Sequence, residues 1–329
     1  SVYFNFFDRE KQMGGFIRMG NRANEGHAEM TVIVYQSDGS ALFNYKRPQI
    51  SHNDGWDAGG LKVEVLVPGE KIRTTFVGSV VYLADPREMR EPPVAFKENP
   101  HKKVRLDLVH EGVGPIYGHV AEPGGAGSQN DFARAHYEQH MKVTGTLQVE
   151  DGPVLEITGH GLRDHSWGPR YWQSTPSYRW ITGNFGDDIG MVLSVVGGRV
   201  GGVFHRGPDE LIRITEAELD TSYEGDTNYH QGLTAKVKLE NGESHTIVGK
   251  VTGFIPLRNR RSGMFTHIGE GMTEYTLDGG VVRGYGDRRS GTEEVPPQEH
   301  GPRPGLRRPG ATFGRGRAGN VDVRCTAGR

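Results

Sequence analysis

The sequence predicts an all-β protein made of two antiparallel barrels in tandem. Three observations carry this reading. Apolar and polar residues alternate in short runs along most of the chain, the period of a half-buried strand. Tight-turn pairs such as Pro68-Gly69, Asn241-Gly242 and Asp278-Gly279 separate the runs. The chain has 329 residues, 49 glycines and 34% hydrophobic residues, which suits two domains of short strands better than helix bundles.

In chain order, Met30, Val32 and Val34 alternate with Thr31, Ile33 and Tyr35, and the turn over 37–40 folds the chain back as a hairpin. Leu61, Val63, Val65 and Val67 form one face of the next strand, followed by another over 72–77. Val104, Leu106 and Leu108 repeat the pattern. Leu147–Val149, Asp151-Gly152-Pro153 and Leu155–Ile157 make a second hairpin, and the strands around Asn241-Gly242 a third. Helix is scarce. Asp85-Pro86 is an N-cap followed by Pro, which predicts one or two turns over 87–90. The segment 132–141 fits helix or strand equally, and 123–128 is a Gly-rich loop. The halves divide near 172–177. The expected domains are therefore 1–172, 173–287 and a tail, 288–329, whose Arg, Gly and Pro content cannot bury a core and predicts disorder.

Composition removes several classes of function. A net charge of −2 names no charged partner. The single cysteine, Cys325, excludes an internal disulfide, and no Asn-x-Ser/Thr site occurs, so secretion has no support. The longest apolar stretch, 189–196, is too short to span a bilayer as a helix. The expectation is a soluble cytoplasmic protein, with peripheral membrane contact left open and the oligomeric state unspecified. Ser1-Val2-Tyr3-Phe4 reads as the inside of a domain, so residues are expected to be missing before it. The Arg-Gly tail suits RNA binding, an unstructured extension or out-of-frame translation; no nucleic-acid partner is expected for the barrels. Gly197-Gly198 and Gly201-Gly202 do not make a dinucleotide fingerprint, and no nucleophile elbow or phosphate loop occurs, so no cofactor is expected.

The most specific stretch is Gly159-His160-Gly161-Leu162-Arg163-Asp164-His165-Ser166-Trp167-Gly168-Pro169-Arg170, followed by Tyr178-Arg179-Trp180-Ile181 and the Asp-Gly turn over 186–190. Together these resemble the hydroxyneurosporene synthase (carotenoid 1,2-hydratase) superfamily of tandem lipocalin-like proteins. Asp164-His165-Ser166-Trp167 stands where that group has Asp-His-x-Trp. The opening Tyr3-Phe4-Asn5-Phe6 and Gly269-Glu270-Gly271 look more like an uncharacterised bacterial branch of it. The resemblance implies two lipocalin- or calycin-like barrels with the motif near their junction. It does not extend to a carotenoid substrate.

Chemistry follows from the same residues. A carboxyl group such as Asp164 on an apolar wall resists ionisation and can donate a proton near neutral pH. Such an acid can protonate an isoprenoid double bond. Aromatic faces from Trp167, Trp172 and Trp180 would steady the cation, and water would then add or a proton leave. This is hydratase, dehydratase or isomerase chemistry, with His165 orienting the acid or taking the second proton. Tyr137, Arg170 and Tyr178 are further ligand-contact candidates, and His267 and Glu270 are candidates in the second barrel. Structural readings stand beside these. Asp164 can pair with Arg163 or Arg170, and strand alternation sets Asp164 and His165 on opposite faces. His136, Glu138 and His140 share a face in either conformation and are weak metal candidates, since Lys142, Thr144 and Thr146 continue that face as a solvated or polar-lumen one. Three functions remain: an acid-catalysed enzyme for an isoprenoid or similar apolar molecule, a carrier for a hydrophobic ligand, and a structural or partner-binding protein with no ligand cavity.

Overall fold

The computed structural model describes residues 1–120, 135–168, 177–261, 264–279 and 282–291. It is all-β and antiparallel throughout, with two barrels as the alternation predicts. Ser1–Glu294 form one compact unit.

The first barrel contains β1 (Val2–Asp8), β2 (Met13–Arg22), β3 (His27–Tyr35), β4 (Ala41–Lys46), β5 (Trp56–Ala58), β6 (Leu61–Val67) and β7 (Lys71–Leu83). After a helical connection come β8 (His101–Gly112), β9 (Tyr117–Val120), β10 (Ala135–Val149) and β11 (Leu155–Trp167). The sheet runs β4-β3-β2-β1-β11-β10-β8-β7-β6-β5, with β9 beside β10, and a short β4–β7 pairing closes the strands from β4 to β7 into a ring, with β6 and β5 beyond it. The second barrel contains β12 (Tyr178–Asn184), β13 (Ile189–Val196), β14 (Arg199–Arg206), β15 (Glu210–Tyr223), β16 (His230–Leu239), β17 (Ser244–Arg261), β18 (Met264–Leu277) and β19 (Val282–Gly291). It is an up-and-down meander closed by β12 on β19. Every turn pair singled out above lies between two strands. Gly69, Gly242 and Gly279 have φ of 82°, 89° and 83°, the left-handed region that only glycine adopts without strain.

Three apolar clusters hold the unit together. One fills the first barrel around Phe6, Ile17, Met30 and Phe76. Another fills the second around Phe204, Leu233, Ile247 and Tyr275. The third joins them: Tyr3, Phe16, Tyr35, Phe43 and Leu83 from the outside of the first barrel pack against Trp180, Ile255 and Met272 of the second.

Several expectations need correction. The tail boundary at residue 288 falls inside β19, which runs to Gly291 and pairs with both β12 and β18. Residues 292–329 lie outside the described residues. The ambiguous segment 132–141 is strand from Ala135 onward. The turns foreseen after Asp85 are a 3-10 helix, Pro86–Arg90, capped by the Asp85 carboxylate on the Arg87 N–H. The sequence reading missed α1 (Pro92–Glu98), although Pro92-Pro93 at its first positions is a start signal.

Candidate functional site

β11 ends at Trp167 and β12 begins at Tyr178, so the Asp-His-Ser-Trp motif closes the last strand of the first barrel. Alternation along β11 sends its residues two ways. Arg163, His165 and Trp167 share the face that lines the inside of the barrel. Asp164 shares the outer face, where the second barrel packs. The registers then assemble a row across four strands: Tyr3 on β1 opposes Asp164 on β11, which opposes Glu138 on β10, which opposes Tyr117 on β9.

The row centres on one imidazole. His136 Nε2 lies 2.9 Å from Asp164 Oδ2 and 3.1 Å from Glu138 Oε1. A ring nitrogen between two carboxyls donates to them when it carries the proton, and accepts from a protonated carboxyl when it does not. Both arrangements keep a transferable proton in the cluster. Glu138 is almost fully enclosed, its side chain 1% exposed. Burying a carboxylate this deeply is costly unless donors surround it. Here Trp180 Nε1–H donates to Oε1 at 2.7 Å and the Tyr117 hydroxyl donates to Oε2. Asp164 and His136 are more open, 15% and 21% exposed, so a ligand can reach them. The Trp180 ring meets Tyr3 edge-on, 5.7 Å between centroids.

The other face of β11 makes a separate cluster. His165 Nδ1 lies 3.3 Å from the Tyr137 hydroxyl, and its ring sits among Tyr137, Trp56 and Trp167. Burial first, then the positive Ser1 amino group and last Arg163, against the opposing charge of Asp164, push His165 down to about 4, so it is neutral at pH 7. Arg163 is buried, donates to the Gly69 carbonyl and lies 5.2 Å from the centre of the Tyr137 ring. Deeper in, His110 bonds Thr74 Oγ1, and burial with nearby Arg163 holds it down at about 3.

The structure therefore divides the expected site. Asp164 and Trp180 come together. His165, Tyr137 and Trp167 form their own group inside the first barrel. Asp164 bonds His136, and Arg163 faces away. Asp164 stands at the junction of the barrels, not on an apolar inner wall. The face that carries His136, Glu138 and His140 is neither solvated nor a lumen: it packs on the second barrel. His140 leaves the metal set, with Nε2 3.2 Å from the Met191 carbonyl and its ring beside His205; burial above all, and then His205, push it down to about 3. Asp164 takes its place, and the ligand atoms of His136, Glu138 and Asp164 lie within 4.8 Å of one another, a spacing that could hold a cation. Tyr178 is buried at the start of β12. His267 lines a cleft in the second barrel, whereas Glu270 is buried on its outer side, where its carbonyl accepts from Tyr35. Arg170 and Trp172 lie outside the described residues. Sequence reasoning missed Tyr3 and Tyr117, because only strand register brings them beside Asp164 and Glu138.

Fold and cluster define a class: a tandem-barrel β protein with an enclosed carboxylate–imidazole group where the barrels meet. The chain belongs to the DUF7064 family, a domain of unknown function whose match covers residues 1–292. Solved structures share the fold. CghA with Sch210972 aligns at a TM-score of 0.53 and 13% identity, over 88% of this chain and 86% of that one. A candidate AttH (NE1406) from Nitrosomonas europaea aligns at 0.54 and 14% identity, over 88% of this chain and 91% of that one. These likenesses support the tandem lipocalin-like fold; the family name carries no carotenoid hydratase. No curated sequence matches the chain. Among the described residues no helix is long and apolar enough to cross a membrane.

Proposed function

We propose that the protein is a cofactor-independent acid–base enzyme acting on an isoprenoid or similar apolar molecule, with Asp164 as the proton donor. The observation that carries this is the His136 nitrogen held between an enclosed carboxyl group, Glu138, and a more open one, Asp164. A group oriented by a second and fixed by a third is the usual arrangement for positioned proton transfer. Glu138, fixed by Trp180 and Tyr117, orients His136, which exchanges a proton with Asp164. Asp164 protonates an alkene carbon, leaving a tertiary cation faced by Trp180 and Tyr3. Water then adds and returns a proton to the Asp164 carboxylate, giving hydration; loss of a neighbouring C–H proton to the same carboxylate gives double-bond migration. His165, neutral and on the other face, takes no part in this step.

A carrier of an apolar ligand is the second reading. It is favoured by the structure of CghA with Sch210972, which has this fold. Asp164→Asn separates the two. Asn keeps the size of the side chain but cannot release the proton. Under the enzyme reading it keeps fold and ligand affinity and lowers turnover at least about a hundredfold. His136→Ala follows it, and His165→Ala stays near wild type. The substrate tested is the lipid that co-purifies with the native protein, assayed for hydration, dehydration and double-bond migration. Unchanged turnover in Asp164→Asn removes the acid role. Ligand binding without any turnover by the wild type makes the protein a carrier.

A further inference from the structure

The second barrel is filled at one end and open at the other. Ile181, Tyr275 and Leu277 belong to its packed core. Arg179 stands two residues before Ile181 on β12, and His267 eight residues before Tyr275 on β18, so both point into the interior. Arg258 pairs with His267 and shares that face. These residues line a cleft of about 670 Å³, within the usual size of small-molecule sites. Phe254 and Pro256, on the Arg258 face of β17, and Tyr229, whose ring lies 5.0 Å from that of Phe254, supply its apolar wall, and Arg90 from the 3-10 helix also lines it.

The charge of this cleft is lopsided. Arg90, Arg179 and Arg258 line it, and Asp226 is the one carboxylate among its described lining residues. The neighbouring acids Asp85 and Glu224 are both engaged by Arg87. Arg179 is set in place: Nη2 donates to the Tyr223 hydroxyl at 2.7 Å and Nη1 to the Tyr178 carbonyl at 3.0 Å. A guanidinium has five N–H donors, so this anchoring leaves others for a ligand. Planar guanidinium groups match carboxylates in charge and shape.

We propose that this cleft binds a small amphipathic acid, its carboxylate at Arg179 and Arg258 and its apolar body against Phe254, Pro256 and Tyr229. The site shares no residue with the Asp164 cluster and stands whether or not Asp164 is an acid catalyst.

Isothermal titration of the full chain with decanoate, decan-1-ol and acetate tests it. Decanoate should bind at least tenfold more tightly than either of the others. Arg179→Gln combined with Arg258→Gln should erase the preference for the acid while leaving the circular dichroism spectrum and melting temperature unchanged. The double Lys variant should recover part of the preference. Phe254→Ala should weaken decanoate and decanol together. Asp164→Asn should leave the preference intact, which keeps this test apart from that of the acid–base reading. Equal affinity for acid and alcohol, acetate binding as well as decanoate, or a preference that survives the double Gln variant would overturn the proposal. So would its loss in Asp164→Asn, which would move the binding to the barrel junction.

Discussion

The two barrels share an architecture but close in different ways. The second closes on itself, β12 pairing with β19 from Tyr178↔Gly291 to Asn184↔Tyr285. The first closes over a short seam, Ala41↔Leu83, Leu42↔Tyr82 and Phe43↔Val81. Phe43, Val81 and Leu83 in that seam belong to the apolar cluster shared with Ile255 and Met272 of the second barrel. The first barrel thus leans on its neighbour for closure, and the second does not. Their interiors hold different polar groups beside their apolar cores: His110, Thr74, Gln139 and Arg163 in the first barrel, His230 and Thr273 in the second.

The largest expected effect breaks the self-contained barrel. Truncation after Asp287 removes the backbone partners of Tyr178, Arg179, Trp180 and Ile181. Loss of this closure should cost several kcal/mol, roughly the stability of a small domain, and abolish a cooperative thermal transition. Truncation after Glu294, the end of the compact unit, should melt like the full chain. A cooperative transition at the wild-type midpoint in the shorter form would show that β12 needs no partner.

A second test sharpens the contrast between interiors. His110 is held at about 3 when folded, against about 6.5 when unfolded. The unfolded chain therefore binds the proton more readily. The associated stability is complete above about pH 6.5 and is lost as pH falls toward 3, at no more than about 1.4 kcal/mol per pH unit. Urea unfolding at pH 7, 6, 5 and 4 should show this slope, and His110→Gln should flatten it by up to one proton. His140, also held at about 3, keeps its own share. An unchanged slope would place the acid sensitivity in groups other than His110, such as His140 and His165.

The smallest effect probes the support itself. The Tyr35 hydroxyl donates to the Glu270 carbonyl at 3.2 Å from one barrel to the other, out of solvent. Tyr35→Phe should lower stability by about 1 kcal/mol, the net worth of such a bond, while unfolding stays a single transition. Two separated transitions would mean that the barrels hold together more weakly than their shared core implies.

Much of this was legible in the sequence, because strand faces repeat every two residues and turns need glycine. His136 and Glu138 were readable as neighbours on one face, and Asp164 and His165 as residues on opposite faces. Which residues meet across strands was not readable. The opposition of Asp164 to Glu138 depends on a register spanning the hairpin between β10 and β11, and the opposition of Tyr3 to Asp164 on strands more than 150 residues apart. Lys142 made its face look solvated, yet this lysine reaches Asp187 of the second barrel, where His160 also bonds. The end of β19 was hidden for a different reason. Arg288-Arg289-Ser290-Gly291 has the composition of the tail beyond it, and backbone pairing needs no apolar alternation.

The position of β1 has a consequence for synthesis on the ribosome. This strand sits inside its sheet, between β2 and β11, and the Ser1 amino group donates to the Ser166 carbonyl at 2.8 Å. β2 can pair with it at once, but its other side stays bare until β11 has left the exit tunnel. At about 5–20 residues per second, the interval lasts roughly ten to thirty seconds. Throughout it the nascent chain displays Tyr3, Phe4, Phe6 and Phe7 on an open strand edge. Slow translation ahead of β11 would prolong that exposure, and a holding chaperone bound to the first strand would shorten its effect.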